Sequence, residues 1–362
     1  HLNPTVVEEI QGALTTGMLF VTPSPTSTDA AEMICKRFKI DQVRFTNSGT
    51  ESTMYAVRVA RSASGKMGIL KVEGGYHGSY DPFVVSAKPP LDKAGDPEEP
   101  TAVMDSNLVP GDIYVVPYNN VSALEAMFEK NASKIACYIV EPVLENLAII
   151  LPDAGYLERV RELCDEYNVI LIFDEVKTGL TAGAHGASVR LGVEPDLITL
   201  AKSIGGGVPL AAFGGKKKYM DFVTNGKMAH FGTFNGNPLA MAGVRAIDRL
   251  CTDEALAAAE ALNQQALDRI SEIIDEYQLP AHTVGFGVKG CVTWSTTPVR
   301  NYRDYKATDF GIAEAHWLFA LNRGIITPPG LDEQWLISLA HGQTEIDLLV
   351  EDFREFAKAL RS

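Results

Sequence analysis

The sequence predicts an α/β protein with a mostly parallel sheet, followed by a smaller C-terminal α+β domain. Three observations carry that expectation. Short apolar runs alternate with helical patterns as far as about Leu250. Several of these runs are apolar almost throughout, the pattern of strands whose sheet is covered on both faces. After about Leu250 the pattern changes to longer amphipathic helices. At 362 residues and 46% hydrophobic, the chain can bury a sizeable core and divide into domains.

In order along the chain, Val43 to Thr46, Gly68 to Val72, Ile135 to Val140, Val169 to Phe173, Leu197 to Leu200 and Leu210 to Phe213 read as strands. Helices are expected from about Glu51 to Arg61, Ser122 to Lys130 and Tyr156 to Tyr167. Strand and helix in alternation argue for a parallel sheet. Lys88 to Pro100, rich in proline and charge, reads as a long surface loop. Further on, Leu262, Ala266, Ile270, Ile273 and Tyr277 fall on one helical face. A strand is expected at Val288 to Trp294 and a helix around Glu314 to Asn322. A final helix carries Leu349, Phe353, Phe356 and Leu360 on one stripe.

Thirty-two Lys and Arg stand against 46 Asp and Glu, a net charge of −14. That balance argues against nucleic acid as the main partner, because phosphate backbones are bound by clustered basic residues. No stretch approaches the ~20 apolar residues of a membrane span, and the first residues lack a signal-peptide pattern. A soluble, cytoplasmic protein is expected. Cys35, Cys137, Cys164, Cys251 and Cys291 are far apart and form no C-x-x-C pair. They read as small buried hydrophobes in a reducing compartment.

Four segments could carry chemistry. In Thr46-Asn47-Ser48-Gly49-Thr50-Glu51 a strand runs into a hydroxyl-rich turn and a helix starts at once. Free N–H groups at a helix N-terminus suit a phosphate, although Ser48 and Glu51 also have the spacing of a simple capping box. Gly74-Gly75-Tyr76-His77-Gly78 follows the strand ending near Val72. Its glycines leave room for a flat ligand on which Tyr76 could stack, or they form a turn with an aromatic packed on the core. Asp174 and Glu175 stand at the end of a buried strand, where open α/β sheets place their ligands. A carboxylate there could hold a cationic nitrogen or merely begin the next loop. No metal-ligand spacing accompanies it, so no metal is expected. Lys202 closes an apolar run ahead of Gly205-Gly206-Gly207. Partial desolvation there would depress the amine's pKa and make it a nucleophile toward carbonyls, whereas most lysines are solvated surface charges. Gly285-Phe-Gly287-Val-Lys-Gly290 has the G-x-G-x-x-G form but precedes a strand, so it reads as a turn and not a dinucleotide site. There is no G-x-S-x-G elbow.

In this order the segments resemble the class III aminotransferases, fold-type I enzymes dependent on pyridoxal phosphate, and most closely the glutamate-1-semialdehyde aminomutase branch. The matching segments are Asn47 to Met54, Gly75 to Gly78, Val140 to Val143 with Asn146, Phe173 to Val176, Ala201-Lys202 with its glycines, Gly232 to Met241, and Ser338 to His341. The resemblance implies a mostly parallel, seven-stranded-type sheet with helices on both faces. It implies a remnant of an N-terminal segment at 1–20, a large cofactor domain at 21–250 and a small C-terminal domain at 251–362. It also assigns residues. Lys202 would hold pyridoxal 5′-phosphate as a Schiff base and move the 1,3-proton, and Asp174 would pair with the ring nitrogen. Ser48, Gly49 and Thr50 would cradle the phosphate. Tyr76 would stack on one ring face and Val176 pack on the other, with His77 among the cofactor contacts and Glu141 as support. Asn146 would contact the ring hydroxyl, and Glu333 aligns with an active-site glutamate of the aminomutase branch. Thr233 would reach a neighbouring subunit's phosphate, which implies a homodimer with shared sites.

The implied activity is a ping-pong aminotransferase that moves an amino group from an amine or amino acid to a keto acid or aldehyde. An aminomutase, which moves the group within one molecule, is the nearest alternative, and a catalytically silent homologue is another. Two departures weaken the aminomutase assignment: Gly179-Leu180-Thr181 replaces the family's Gly-Phe-Arg, and Ser79 replaces that branch's second histidine. The opening His1-Leu-Asn-Pro4 looks like the end of the family's N-terminal segment, which carries its carboxylate-binding arginine.

Overall fold

The computed structural model describes residues 2–20, 22–104, 111–328 and 335–361. The chain forms two compact units. The first comprises His1–Pro142, Pro152–Leu180 and Ala184–Cys251, the second Val143–Leu151, Thr181–Gly183 and Thr252–Ser362.

The first unit is built on strands β1 (Gln42–Thr46), β2 (Gly68–Val72), β3 (Ile113–Val116), β4 (Ile135–Val140), β5 (Ile170–Asp174), β6 (Leu197–Leu200) and β7 (Ala211–Gly215). Their order across the sheet is β1-β7-β6-β5-β4-β2-β3. β7 runs against both its neighbours, and the remaining pairs are parallel. β2, β4, β5, β6 and β7 are buried at every residue. Both sheet faces are therefore covered, as their uniformly apolar sequences require. The edge strand β3 was not among the expected strands. Its Ile-Tyr-Val-Val run is β-branched and aromatic, but it is only four residues long and half-buried over its first two.

The helix Gly49–Ser64 supplies much of the cover. Its Ala56, Val57, Val59 and Ala60 are wholly buried and share a cluster with Ile69, Ile139, Ile172, Leu197 and Phe213. Fully burying one such large apolar side chain contributes about 1.5–3 kcal/mol. This packing fixes the helix's N-terminus at one end of the sheet. The first helix, Pro4–Leu14, is capped by Asn3. Its Glu9 pairs with Arg245 and Arg249 of the helix Pro238–Leu250 at 3.1 and 2.7 Å.

In the second unit, a three-stranded sheet follows the order β10-β9-β8, with β8 at His282–Phe286, β9 at Lys289–Thr293 and β10 at Trp335–Leu336. Gly287 lies in the β8–β9 turn, where no helix opens. Buried Asn263, on the helix Asp253–Glu276, donates from Nδ2 to the carbonyls of Gly287 and Lys289, both at 2.9 Å. The last helix, Gln343–Arg361, buries Ile346, Val350, Phe353, Phe356 and Ala357. Leu360, expected on its apolar stripe, is exposed, because the buried face is rotated toward Ile346 and Ala357. Among the described residues, no helix is long and apolar enough to cross a membrane.

Candidate active site

The helix Gly49–Ser64 begins immediately after β1, at Ser48. The Ser48 hydroxyl accepts from the Glu51 amide at 3.3 Å, and the Glu51 carboxylate accepts from the Asn47 amide at 2.7 Å. The capping spacing is therefore real, but it uses neither the Gly49 nor the Thr50 amide. These are first-turn N–H groups with no intrahelical acceptor. Ser48 is exposed, and its hydroxyl proton remains available to donate. The two readings of this turn are compatible.

The Gly74–Gly78 segment reaches the same helix end. Thr53 Oγ1 donates to the His77 carbonyl at 2.7 Å, and the Ser79 amide donates to Thr50 Oγ1 at 3.1 Å. Gly78, at φ +101°, lies so close that a Cβ would stand 2.6 Å from Thr50 Oγ1 and 2.9 Å from its Cα. Tyr76 is 42% exposed, so its ring does not pack into the core and is available to a ligand. His77 is buried instead, and its Nδ1 lies 2.8 Å from Asp174 Oδ2. Burial holds His77 below the usual imidazole range against the opposing pull of Asp174. The ring is thus neutral near pH 7, with its proton on Nδ1, because a carboxylate only accepts.

The two adjacent acids have different tasks. Asp174 ends β5 opposite Thr199 of β6. Its Oδ1 accepts from Thr199 Oγ1 at 3.0 Å and from the Val176 amide at 3.1 Å. With His77 on Oδ2, three of about four acceptor positions are occupied. One lone pair is left for a further donor. Glu175 accepts from the amides of Ala187 and Ser188 at 2.6 and 3.0 Å, and from Thr178 Oγ1 at 3.3 Å. It caps the helix Gly186–Leu191, whose own N-cap residue His185 makes no side-chain cap bond.

Lys202 follows β6 at the start of a 3₁₀ turn, Lys202–Gly205, in the left-handed backbone region at φ +51°. Its side chain is exposed, so the burial expected from its place behind an apolar strand is not supplied by this chain. The glycines serve a close approach: a Cβ on Gly243 would stand 2.3 Å from the Gly205 carbonyl oxygen. Ala201 and Val176 both line Gly49, where a Cβ would stand 3.6 Å from Ala201 Cβ and 3.2 Å from Val176 Cγ1. The phosphate-type turn, the strand-end acid and the lysine turn therefore meet.

Glu141 is buried directly after β4, and its charge acts on Lys71. Thr233 is exposed between the exposed rings of Phe231 and Phe234. Its loop is tied to the turn by Asn47 Nδ2 donating to Asn235 Oδ1 at 2.9 Å. Asn146 belongs to the second unit, in a turn between the bridged Leu144 and Ile150. Glu333 lies outside the described residues. Sequence reasoning missed Thr199 and Thr53; a lone hydroxyl inside the apolar run Leu197 to Leu200 was the available signal for the first.

The donor set suits an aromatic phosphate ester with a basic ring nitrogen: helix-end amides and hydroxyls on one side, a buried carboxylate with a spare lone pair on another. The family model for aminotransferase class-III matches residues 1–313. The chain belongs to this family. The class-III aminotransferases are enzymes, and their cofactor is pyridoxal 5′-phosphate. The chain is 36% identical over 354 residues to a glutamate-1-semialdehyde 2,1-aminomutase of Francisella philomiragia subsp. philomiragia, covering 96% of this chain and 81% of that one. It is 35% identical over 367 residues to the Salinibacter ruber protein of the same name, covering 100% and 83%. Among solved structures it is similar to an omega-transaminase from Sphaerobacter thermophilus, with TM-score 0.94, 30% identity, and 100% and 84% coverage. A beta-phenylalanine aminotransferase from Variovorax paradoxus matches with TM-score 0.89 and 29% identity, covering 99% and 80%.

Proposed function

We propose that this class-III enzyme is a ping-pong aminotransferase, taking an amino group from an amine or amino acid and giving it to a keto acid or aldehyde. The observation that carries the proposal is the convergence of the Ser48–Thr50 turn, the His77–Asp174 pair and the Ala201–Lys202 turn on one end of the sheet. When bound, pyridoxal 5′-phosphate supplies an aldehyde that takes up amines and a ring that withdraws electrons from the neighbouring carbon.

The chain's own residues do the rest. The Gly49 and Thr50 amides and the Ser48 hydroxyl bind the phosphate at the positive end of a helix. Asp174 would accept a hydrogen bond from the protonated ring nitrogen and favour that charged form. Neutral His77, through Nδ1–H, and Thr199 and the Val176 amide hold the carboxylate in one orientation. Tyr76 and Val176 bound the ring on its two faces, and Glu141 lends support. Lys202 would hold the cofactor's aldehyde through Nζ, and the same amine would carry a proton to and from the substrate carbon. Thr233, set among exposed aromatic rings, suits contact with a second copy, so the working unit is a homodimer. The cavity beside it, of about 720 Å³ and lined by Leu19, Phe20 and Arg44, gives that copy a place to dock. The five cysteines are free thiols, as the reducing cytoplasm would keep them.

Borohydride treatment of the cofactor-loaded enzyme should fix a pyridoxyl group on Lys202, located by peptide mass spectrometry. Lys202→Ala should be colourless and inactive. An unlabelled Lys202, or an active Lys202→Ala variant, overturns the assignment. A second reading, glutamate-1-semialdehyde 2,1-aminomutase, is favoured by the relatives of that name at 36% and 35% identity. Repeated turnover of glutamate 1-semialdehyde with no second substrate would select it.

A further inference from the structure

Lys71 has no part in the roles above, yet it is fully buried. It is the fourth residue of β2, opposite Val115 of β3 and Ile139 of β4, in a strand buried at every position. An apolar side chain is the default at such a place, since an ammonium withdrawn from water is unfavourable unless fully hydrogen-bonded. Lys71 Nζ directs its three donors to main-chain carbonyls: Gly75 at 2.8 Å, Phe83 at 3.0 Å and Val85 at 2.7 Å.

All three carbonyls belong to one excursion of the chain, which leaves the sheet after Val72 and comes back under Lys71 at Phe83 and Val85. Within it lie the exposed ring of Tyr76, the His77 side chain that meets Asp174 and the Ser79 amide that donates to Thr50 Oγ1. The Gly75 carbonyl and the Tyr76 amide form a single planar peptide unit. Holding that oxygen restricts the plane from which Tyr76 departs. The ammonium also acts by charge: it opposes protonation of His77, while Glu141 acts on Lys71 in the other direction.

We propose that Lys71 is a positioning residue of the cofactor site, which by gathering the Gly75, Phe83 and Val85 carbonyls sets where Tyr76 stands and seats His77 against Asp174. The inference rests on the pyridoxal-phosphate reading and extends it to a side chain whose hydrogen bonds all go to the main chain.

The test uses Lys71→Met in the full chain, an apolar replacement of similar length. Pyridoxal 5′-phosphate is titrated into the apo-protein, and hydrogen exchange is followed by mass spectrometry. Expected are binding weaker by about tenfold or more and faster exchange confined to the peptide 73–87, with 135–140 unchanged. Adding Tyr76→Ala should weaken binding in the parent protein but add little in the Lys71→Met background, which a general loss of packing would not produce. Wild-type affinity with unchanged exchange overturns the proposal. If the parent protein binds no pyridoxal 5′-phosphate, the cofactor reading itself fails.

Should Lys71→Met not fold, the unsubstituted protein still decides. Burial brings Lys71 down to about 7, from 10.5. An open form that hydrates it binds the proton more tightly, so raising the pH removes the proton and favours the closed form, in which the neutral amine still donates to two of the three carbonyls. Corrected for intrinsic exchange, protection of 73–87 should rise about tenfold or more between pH 7.5 and 9, above the range in which His77 titrates, with 135–140 unaffected. Protection that does not change with pH overturns the proposal.

Discussion

Removing Glu175 should destabilise the protein, whereas neutralising its neighbour Asp174 should silence it. The Glu175 carboxylate is fully buried and accepts the Ala187 and Ser188 amides and the Thr178 hydroxyl. Glu175→Ala strands two buried amides at about 1–3 kcal/mol each, roughly 2–6 kcal/mol together. Against a typical stability of about 5–15 kcal/mol, that is a large fraction. At roughly 2–4 °C per kcal/mol for a unit of this size, the melting temperature should fall by about 5–20 °C, read by circular dichroism. Asp174→Asn keeps the shape and still accepts from Thr199 and Val176. Its amide, however, presents a donor where both the ring nitrogen and His77 Nδ1–H need an acceptor, so His77 must take its other tautomer. Losing one preorganised electrostatic partner lowers rates on the order of 10²–10³, so turnover should drop by that factor while the melting temperature moves much less than for Glu175→Ala. A Glu175→Ala variant that melts with the parent protein, or an Asp174→Asn variant with normal turnover, refutes this division of tasks.

Gly78→Ala should lower both cofactor affinity and stability, the latter by about 1–3 kcal/mol, because φ +101° and the Thr50 backbone leave no room for a methyl; calorimetry and cofactor titration read the two losses. Thr233→Ala should weaken cofactor binding in the proposed dimer while leaving the melting temperature of the chain nearly unchanged, and equal affinity would detach Thr233 from the phosphate. His316, stacked on Phe356 with centroids 4.8 Å apart, is lowered by burial to about 4 from 6.5. Its folded value lies below the unfolded one, so the stability it allows above pH 6.5 is lost as the pH falls toward 4, at most roughly 3 kcal/mol. His316→Phe should flatten that acid limb, measured by urea unfolding at pH 4.5 and 7; an unchanged difference between the two pH values would count against it.

Much of the sheet was legible because its strands are largely apolar on both faces, and β1, β4, β5 and β6 each end near a polar residue of the candidate site. The spatial order was not, since periodicity within a strand says nothing of which strand lies beside it. β3 escaped notice because four residues at a half-buried edge give little pattern. Asp174 was readable as a strand-end acid, but its difference from Glu175 was not: only the fold brings the start of the helix Gly186–Leu191 to one carboxylate and Thr199 to the other. Lys71 hid inside an apolar run, although a charge in a run that must be buried is itself a signal. The environment of Lys202 went astray for a related reason. An apolar strand predicts burial for its own residues, but Lys202 follows the strand, at the surface of this chain.

The backbone at Lys202 has a consequence for anyone engineering this enzyme. A lysine at φ +51° holds a strain of roughly 1–2 kcal/mol that glycine would release. On the proposed role of Lys202 as the residue that holds the cofactor, screens that reward heat resistance alone will drift toward colourless survivors with glycine at position 202. Any campaign to harden this scaffold has to gate each round on retained activity, since at this one residue endurance and chemistry pull apart.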